Sequence, residues 1–166
     1  MGIHKLNQDF TTIVDDVDDD LLEGVRWSTL HRNRKRTYAI RWSEAGRVLL
    51  HRLIMSRILG RELKRSEFVD HINGDGLDNR RENLRLATNS QNQANSGIRR
   101  NNTTGYKGVS FHKTLGKWHA TIMVKGKKKH LGYFDTPEEA AEAYNDAARK
   151  YFGEFAYLNE IERELD

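Results

Sequence analysis

The stretch FVDHINGDGLDNRRENLRLAT, residues 68–88, sets Asp70 and His71 side by side ahead of a loop of Asn, Gly and Asp, then Asn83 and a short apolar run. TNSQNQANS follows, with Asn92 inside it. Imidazole, with an ordinary pKa of about 6.5, is largely neutral above pH ~7 and can take a proton from water. Carboxylate and amide oxygens suit a hard cation such as Mg2+, which keeps several of its waters. A base plus a cation is what hydrolysis of a phosphodiester requires. Asp70, His71 and an Asn on a nearby helix supply those parts. Neighbours on a regular strand face opposite ways. Asp70 and His71 therefore share a site only where the strand breaks, and Gly74 and Gly76 place a break just beyond them.

Two other chemistries compete for the same residues. His71, Asn73, Asp75, Gly76 and Glu82 occupy positions 1, 3, 5, 6 and 12 of the EF-hand spacing. Imidazole is a poor first ligand for calcium, and strand-like runs flank the loop instead of two long helices. A plain polar hairpin is the third option, since Asn-Gly-Asp-Gly is turn chemistry. It leaves unexplained why His71 follows Asp70 directly and why an amide-rich helix comes next.

The elements that must position these residues are legible on both sides. In RTYAIRW, Tyr38, Ile40 and Trp42 alternate with Ala39 and Arg41, which predicts a half-buried strand, and RVLL predicts its return after SEAGR. LHRLIMSRILG changes period: Leu50, Leu53, Ile54 and Ile58 fall on one helical face, and Gly60 marks the end. His51, at the helix start, reads as a cap or packing residue and stays outside the catalytic set. NLRLAT predicts a short strand with Leu84 and Leu86 on one face and Arg85 on the other. Thr88 and Gln91 can form a capping box for a helix. Asn89, Asn92 and Asn95 are poor helix formers, so that helix is either frayed or its amides have a task.

RRNNTTG, residues 99–105, has linker composition. GVSF, KWHATIMVK and KKKHLGYF then predict three strands, joined through TLGK and KGK. DTPEEAAEAYNDAARKYFG predicts a helix with Thr136 as N-cap, Pro137 at N1, Glu139 closing a capping box and Gly153 as the stop. Ala140, Ala143, Tyr144, Ala147 and Tyr151 fall near one stripe of it.

Composition narrows the function classes. The 166 residues are 37% hydrophobic with a mean hydropathy of -0.81 and no cysteine, which excludes disulfides and Cys-ligated zinc. No apolar run reaches the ~18 residues of a membrane span, and the N-terminus lacks the pattern of a secretory signal. An intracellular protein with no membrane partner is expected. The formal charge of +4 is unevenly spread. Residues 1–25 hold seven acids against Lys5, a net of -6, and residues 160–166 carry -3. The span between holds 26 basic and 13 acidic residues, a net of +13, which points to a polyanion partner.

The Asp70-His71 pair, Asn83 twelve residues beyond His71 and Asn92 nine further on resemble the HNH homing endonucleases of phages and introns, and the likeness covers about residues 48–95. It implies a ββα-metal (His-Me finger) domain with His71 as general base, Asp70 and Asn92 as ligands of Mg2+ or Mn2+, and Asn83 tying the loop so that His71 is aimed. Asn in the third motif position favours those ions over zinc. Arg80, Arg81 and Arg85 face either phosphate or solvent.

Residues 105–159 resemble the AP2 DNA-binding domain. The likeness is carried by Gly108-Val109, Gly116-Lys117-Trp118, Ala120, Ile122, Leu131-Gly132, Phe134-Asp135-Thr136, Glu139-Ala140-Ala141, Ala143-Tyr144 and Asn159. It implies a three-stranded antiparallel sheet packed on one helix and laid in the major groove of double-stranded DNA. By strand parity Ser110, His112, His119, Thr121, Met123, Lys125, Lys128 and His130 face the DNA. Lys107, Lys113, Lys117 and Lys127 hold phosphates, which sets register without specifying sequence. Ser110, His112 and Met123 stand where the plant members of the family use Arg, so a different target sequence is expected.

The expected fold is α+β. It comprises an acidic segment (1–25), the nuclease domain (26–98), a linker (99–104), the AP2-like domain (105–159) and an acidic tail (160–166). The expected protein is a monomeric DNA endonuclease, needing no small-molecule cofactor beyond the metal and leaving 5'-phosphate and 3'-hydroxyl ends. The rivals are a non-catalytic DNA-binding regulator and, more remotely, an RNA-binding protein.

Overall fold

A computed structural model of the protein describes residues 1–7, 10–33 and 36–161. It divides into two compact units, Met1–Asn89 and Ser90–Asp166, each with its own hydrophobic core.

The first unit opens on the acidic segment. It is a hairpin of β1 (Gly2–Lys5) and β2 (Thr11–Val14), followed by a 3-10 turn over Asp16–Leu21. Cations elsewhere in the unit order its acids. Fully buried Asp18 accepts from Arg81 Nε at 2.7 Å and Nη2 at 2.9 Å. Asp20 takes both terminal nitrogens of Arg57, at 2.6 and 2.8 Å, and Asp15 accepts the Arg81 backbone N–H at 2.8 Å. The segment is thus part of the unit, and its arginine partners lie 37 to 63 residues along the chain.

A three-stranded antiparallel sheet follows, in the order β3 (Ser28–Asn33), β4 (Arg36–Ser43), β5 (Gly46–Leu49). β4 and β5 lie where the alternation predicts; β3 carried no such signal. The alternation is imperfect, because Ala39 and Ile40 are both buried in this central strand while Trp42 is 71% exposed. The chain runs directly into α1 (Leu50–Leu59), which ends at Gly60 in the left-handed region, φ 64°. Leu50, His51, Ile54 and Met55 are its buried residues and Ile58 is 41% exposed. The inward face is therefore rotated from the expected stripe, and it carries His51 inside. Val14, Trp27, Val69 and Leu84 join Leu50 and Ile54 in the core. β6 (Phe68–His71) and β7 (Leu84–Ala87) form the last, antiparallel pair, with Asp70 opposite Arg85 and His71 opposite Leu84.

The second unit comprises α2 (Asn89–Asn95) from Ser90 onward, a sheet in the order β10-β9-β8, and α3 (Pro137–Phe152). The strands are β8 (Val109–His112), β9 (Lys117–Val124) and β10 (Lys127–Phe134). The fold is the expected α+β, and this unit is the three-stranded antiparallel sheet packed on one helix. The capping box forms: Glu139 N–H donates to Thr136 Oγ1 and Thr136 N–H to Glu139 Oε2, both at 3.2 Å. Ala140, Ala141, Tyr144, Ala147 and Ala148 are the buried apolar side of α3, while Tyr151 is exposed. Gly108, at φ 79°, lets the Tyr144 ring pass: a Cβ there would lie 2.2 Å from it. Asn159 fastens the end of the unit, accepting Lys107 N–H at 2.7 Å and donating from Nδ2 to Lys107 O at 3.1 Å. The expected linker folds in part onto this unit, for Asn102 Oδ1 accepts the N–H groups of Thr104 and Gly105. Residues 162–166 of the acidic tail lie outside the described residues. No described helix is long and apolar enough to cross a membrane.

Removing Asp18 leaves Arg81 without its buried counter-charge. Asp18→Ala should cost about 1–3 kcal/mol, read as a lowered urea midpoint, whereas Asp16→Ala at the exposed surface should leave the midpoint nearly unchanged.

Candidate active site and nucleic-acid face

β6 delivers Asp70 and His71 to the point where the strand ends. Ile72 N–H donates to Asn83 O and Gly74 N–H to His71 O, each at 2.9 Å. Buried Asn83 holds the loop shut. Its Oδ1 accepts Asn73 N–H at 3.0 Å, and its Nδ2 donates to Asn73 Oδ1 at 3.0 Å and to Asp78 O at 2.8 Å. Asn73 Nδ2 donates in turn to Asp78 Oδ2 at 2.9 Å, and Asp75 Oδ1 accepts Leu77 N–H at 2.9 Å. The amides and carboxylates of the turn therefore satisfy its own backbone and each other. Glu82 bonds Arg80 at 2.7 Å. With the EF-hand oxygens so used, the calcium-loop alternative falls away.

His71 is buried at the base of this loop. Its Nε2 lies 3.3 Å from Asn79 Oδ1. The His51 ring of α1 stands edge-on to it at 5.1 Å between centroids, and Tyr38 of β4 lies 6.0 Å from His71 and 5.3 Å from His51. Burial pushes His71 below the usual histidine value, against the opposing pull of its bond to Asn79 and of the Asp70, Asp75 and Asp78 charges. Burial pushes His51 well below it, with the His71 and Arg52 charges adding to the shift. Burial thus favours the neutral form of both rings. Sequence pattern alone left His51 out of the site; the signal for it was its place beside Leu50 and Ile54 on one turn of α1.

Asp70, His71 and Asn83 thus come together in the first unit. Asn92 is half-buried on α2 and belongs to the second. Buried Asp70 meets Arg85, with Arg85 Nε at 3.0 Å and Nη2 at 2.9 Å from its Oδ2. The three arginines considered for phosphate all make ion pairs: Arg80 with Asp78 and Glu82, Arg81 with Asp18, and Arg85 with Asp70. Arg80's partners lie two residues to either side, whereas cross-strand register supplies Arg85's and the ordered acidic segment supplies Arg81's, neither of which local sequence reveals.

In the second unit β9 puts Ala120 and Ile122 into the core and turns His119, Thr121 and Met123 outward. Register brings Ser110 opposite His119, His112 opposite Lys117, Lys128 opposite Met123 and His130 opposite Thr121. Two expected positions differ, and one residue joins the face unannounced. Lys125 sits in the turn after β9 at φ 50°, not on the strand face. Lys107 donates its ammonium to Ala94 O and Ser96 O, both at 2.6 Å, an internal tie rather than a phosphate contact. Tyr133 joins the face because a bulge between His130 and Gly132 shifts the register and sets it opposite His119. The Leu131-Gly132 pair, with Gly132 at φ 150°, was the available signal. Lys113, Lys117, Lys127 and Lys128 are exposed, and the Lys117 ammonium reaches Asp135 at 2.9 Å.

His112, His119, His130 and Tyr133 form one contiguous ring cluster, with His119 4.7 Å from His130 and stacked 5.0 Å from Tyr133. Burial, then the charges of His130, Lys128 and His112, push His119 below its ordinary value. A polyanion laid on this face would favour the protonated form of His119, so binding would take up a proton and strengthen as pH falls. Duplex affinity should rise severalfold between about pH 8 and about pH 6. His119→Gln should weaken that dependence in a fluorescence-anisotropy titration at fixed salt.

The model of the HNH endonuclease family matches residues 48–94, and that of the AP2 domain matches residues 104–154. An HNH endonuclease of Acanthamoeba polyphaga mimivirus is 34% identical over 119 residues, 72% of this chain and 61% of the relative. Protein 3.8 of Escherichia phage T7 is 35% identical over 89 residues, 54% of this chain and 73% of that protein. Dehydration-responsive element-binding protein 2D of Arabidopsis thaliana is 52% identical over 56 residues, 32% of this chain and 27% of that protein. The chain therefore spans about three fifths of the mimivirus relative's length. No solved structure matches it. The loop built on Asp70, His71 and Asn83, the helix-backed sheet that follows, and these matches together place the chain in the HNH endonuclease family, with an AP2 domain at its C-terminal side.

Proposed function

We propose that the protein is a homing-type endonuclease that hydrolyses phosphodiester bonds in double-stranded DNA, acting inside the cell as a monomer. The observation that carries this is the buried Asp70-His71 pair at the end of β6, on a loop fastened by Asn83, within the stretch that matches the HNH endonuclease family. The AP2 sheet holds the duplex through Ser110, His112, Lys113, Lys117, His119, Thr121, Met123, Lys128 and His130, with Tyr133 beside them.

HNH nucleases use a divalent metal ion. Among the described residues no three His, Cys, Asp or Glu side chains group as a metal cage. One carboxylate and one amide oxygen, completed by waters, is a donor set that fits Mg2+ or Mn2+, and Asp70 and Asn92 are the residues that would hold it. When bound, the ion would offset charge on the phosphate and the leaving oxygen. His71 takes the proton from water as its oxygen bonds to phosphorus. The P–O3' bond breaks, the 3'-oxygen gains a proton from solvent, and 5'-phosphate and 3'-hydroxyl ends remain. His71 must be neutral for this, and burial favours that form.

A second reading, a DNA-binding regulator on an inert HNH scaffold, draws on the Asp70–Arg85 ion pair, which compensates a buried carboxylate without any metal. A supercoiled-plasmid assay separates the two. With Mg2+ or Mn2+ the wild type should relax or linearise the plasmid and Asp70→Ala should not. The acid limb of the wild-type rate should have its midpoint below about pH 6.5. Plasmid left intact with every divalent ion, alongside clear duplex binding, would select the regulator.

A further inference from the structure

One chain of buried hydrogen bonds runs from the N-terminal hairpin to His71. Leu77 O is a carbonyl and can only accept, so Thr12 Oγ1, 2.7 Å away, must donate its hydrogen there. The Thr12 oxygen is then the acceptor for Asn79 at 2.8 Å, which fixes the amide with Nδ2 toward Thr12 and Oδ1 toward His71. An amide oxygen cannot donate, so the His71 Nε2 facing it at 3.3 Å must carry the hydrogen. Thr12 and Asn79 are fully buried, so water does not compete for these positions. The backbone braces the same chain: Ile13 N–H donates to Leu77 O at 3.0 Å and Asn79 N–H to Ile13 O at 2.8 Å.

We propose that Thr12 and Asn79 are positioning residues that hold His71 in a single tautomer, hydrogen on Nε2 and lone pair on Nδ1. The hydrogen bond at one imidazole nitrogen decides which nitrogen is left basic, and the direction of every link here follows from the Leu77 carbonyl. Thr12 lies outside residues 48–94, so the hairpin contributes to the site a part that the matched stretch lacks. The consequence for cleavage rests on the proposal that His71 is the base; the tautomer itself does not.

The test is long-range 15N–1H NMR of the full-length chain, histidine-labelled and freed of divalent ions, at about pH 8, where an ordinary imidazole is neutral. The His71 signals are those that His71→Ala removes. The wild type should show a protonated Nε2 and an unprotonated Nδ1. Thr12→Val should mix the tautomers and lower kcat about tenfold at unchanged KM, and Thr12→Ser should restore both. A protonated Nδ1 in the wild type, or an unaltered tautomer in folded Thr12→Val, would overturn the relay. The wild-type spectrum needs no variant, metal or substrate. A chain that cleaves nothing with any metal would therefore end the nuclease proposal, while the spectrum would still decide the tautomer.

Discussion

Everything at the candidate site depends on one buried amide. The Asn83 side chain bonds both to the start of the 72–83 loop, at Asn73, and to its far side, at Asp78 O. A buried amide left unmatched costs about 1–3 kcal/mol, so the loop closes where all of these bonds form at once. That closure stops β6 immediately after His71 and puts Asn79 against the ring. The glycines permit the turn, but the amide selects its shape.

The same unit shows how a basic protein keeps part of its charge for its own structure. Arg57, Arg80, Arg81 and Arg85 are all paired with acids, and those holding Arg57 and Arg81 come from the acidic segment. Its negative charge is an internal counter-ion to the site's supporting arginines. In the second unit Lys113, Lys127 and Lys128 are exposed, and Lys128 stands opposite Met123 on the side of the sheet that carries the imidazole cluster.

The sequence revealed most where chemistry is local. The Asp70-His71 spacing to Asn83, the turn residues between them, and the caps of α3 are all short-range patterns, and the elements appear where those patterns put them. It failed where partners are distant. The β1–β2 hairpin has no strong period and is tied to the site loop by hydrogen bonds that join Thr12 and Ile13 to Leu77 and Asn79, more than sixty residues away. His51 was passed over because a lone histidine at a helix start is usually a cap, and only the rotation of α1 brings it to His71. Tyr133 escaped because a bulge breaks strand parity, and Lys107 because no pattern announces a backbone carbonyl as a partner. The roles of Asp70, Asn83 and Asn92 belong to the proposal.

Cleavage as proposed turns on His71 being the base that activates water. The most direct measurement is the single-turnover cleavage rate of a bound duplex by wild type and His71→Ala, with affinity determined in the same samples. If His71 is the base, binding should be unchanged and the rate lower by about 10²–10⁴. Cleavage by His71→Ala at the wild-type rate would contradict that role.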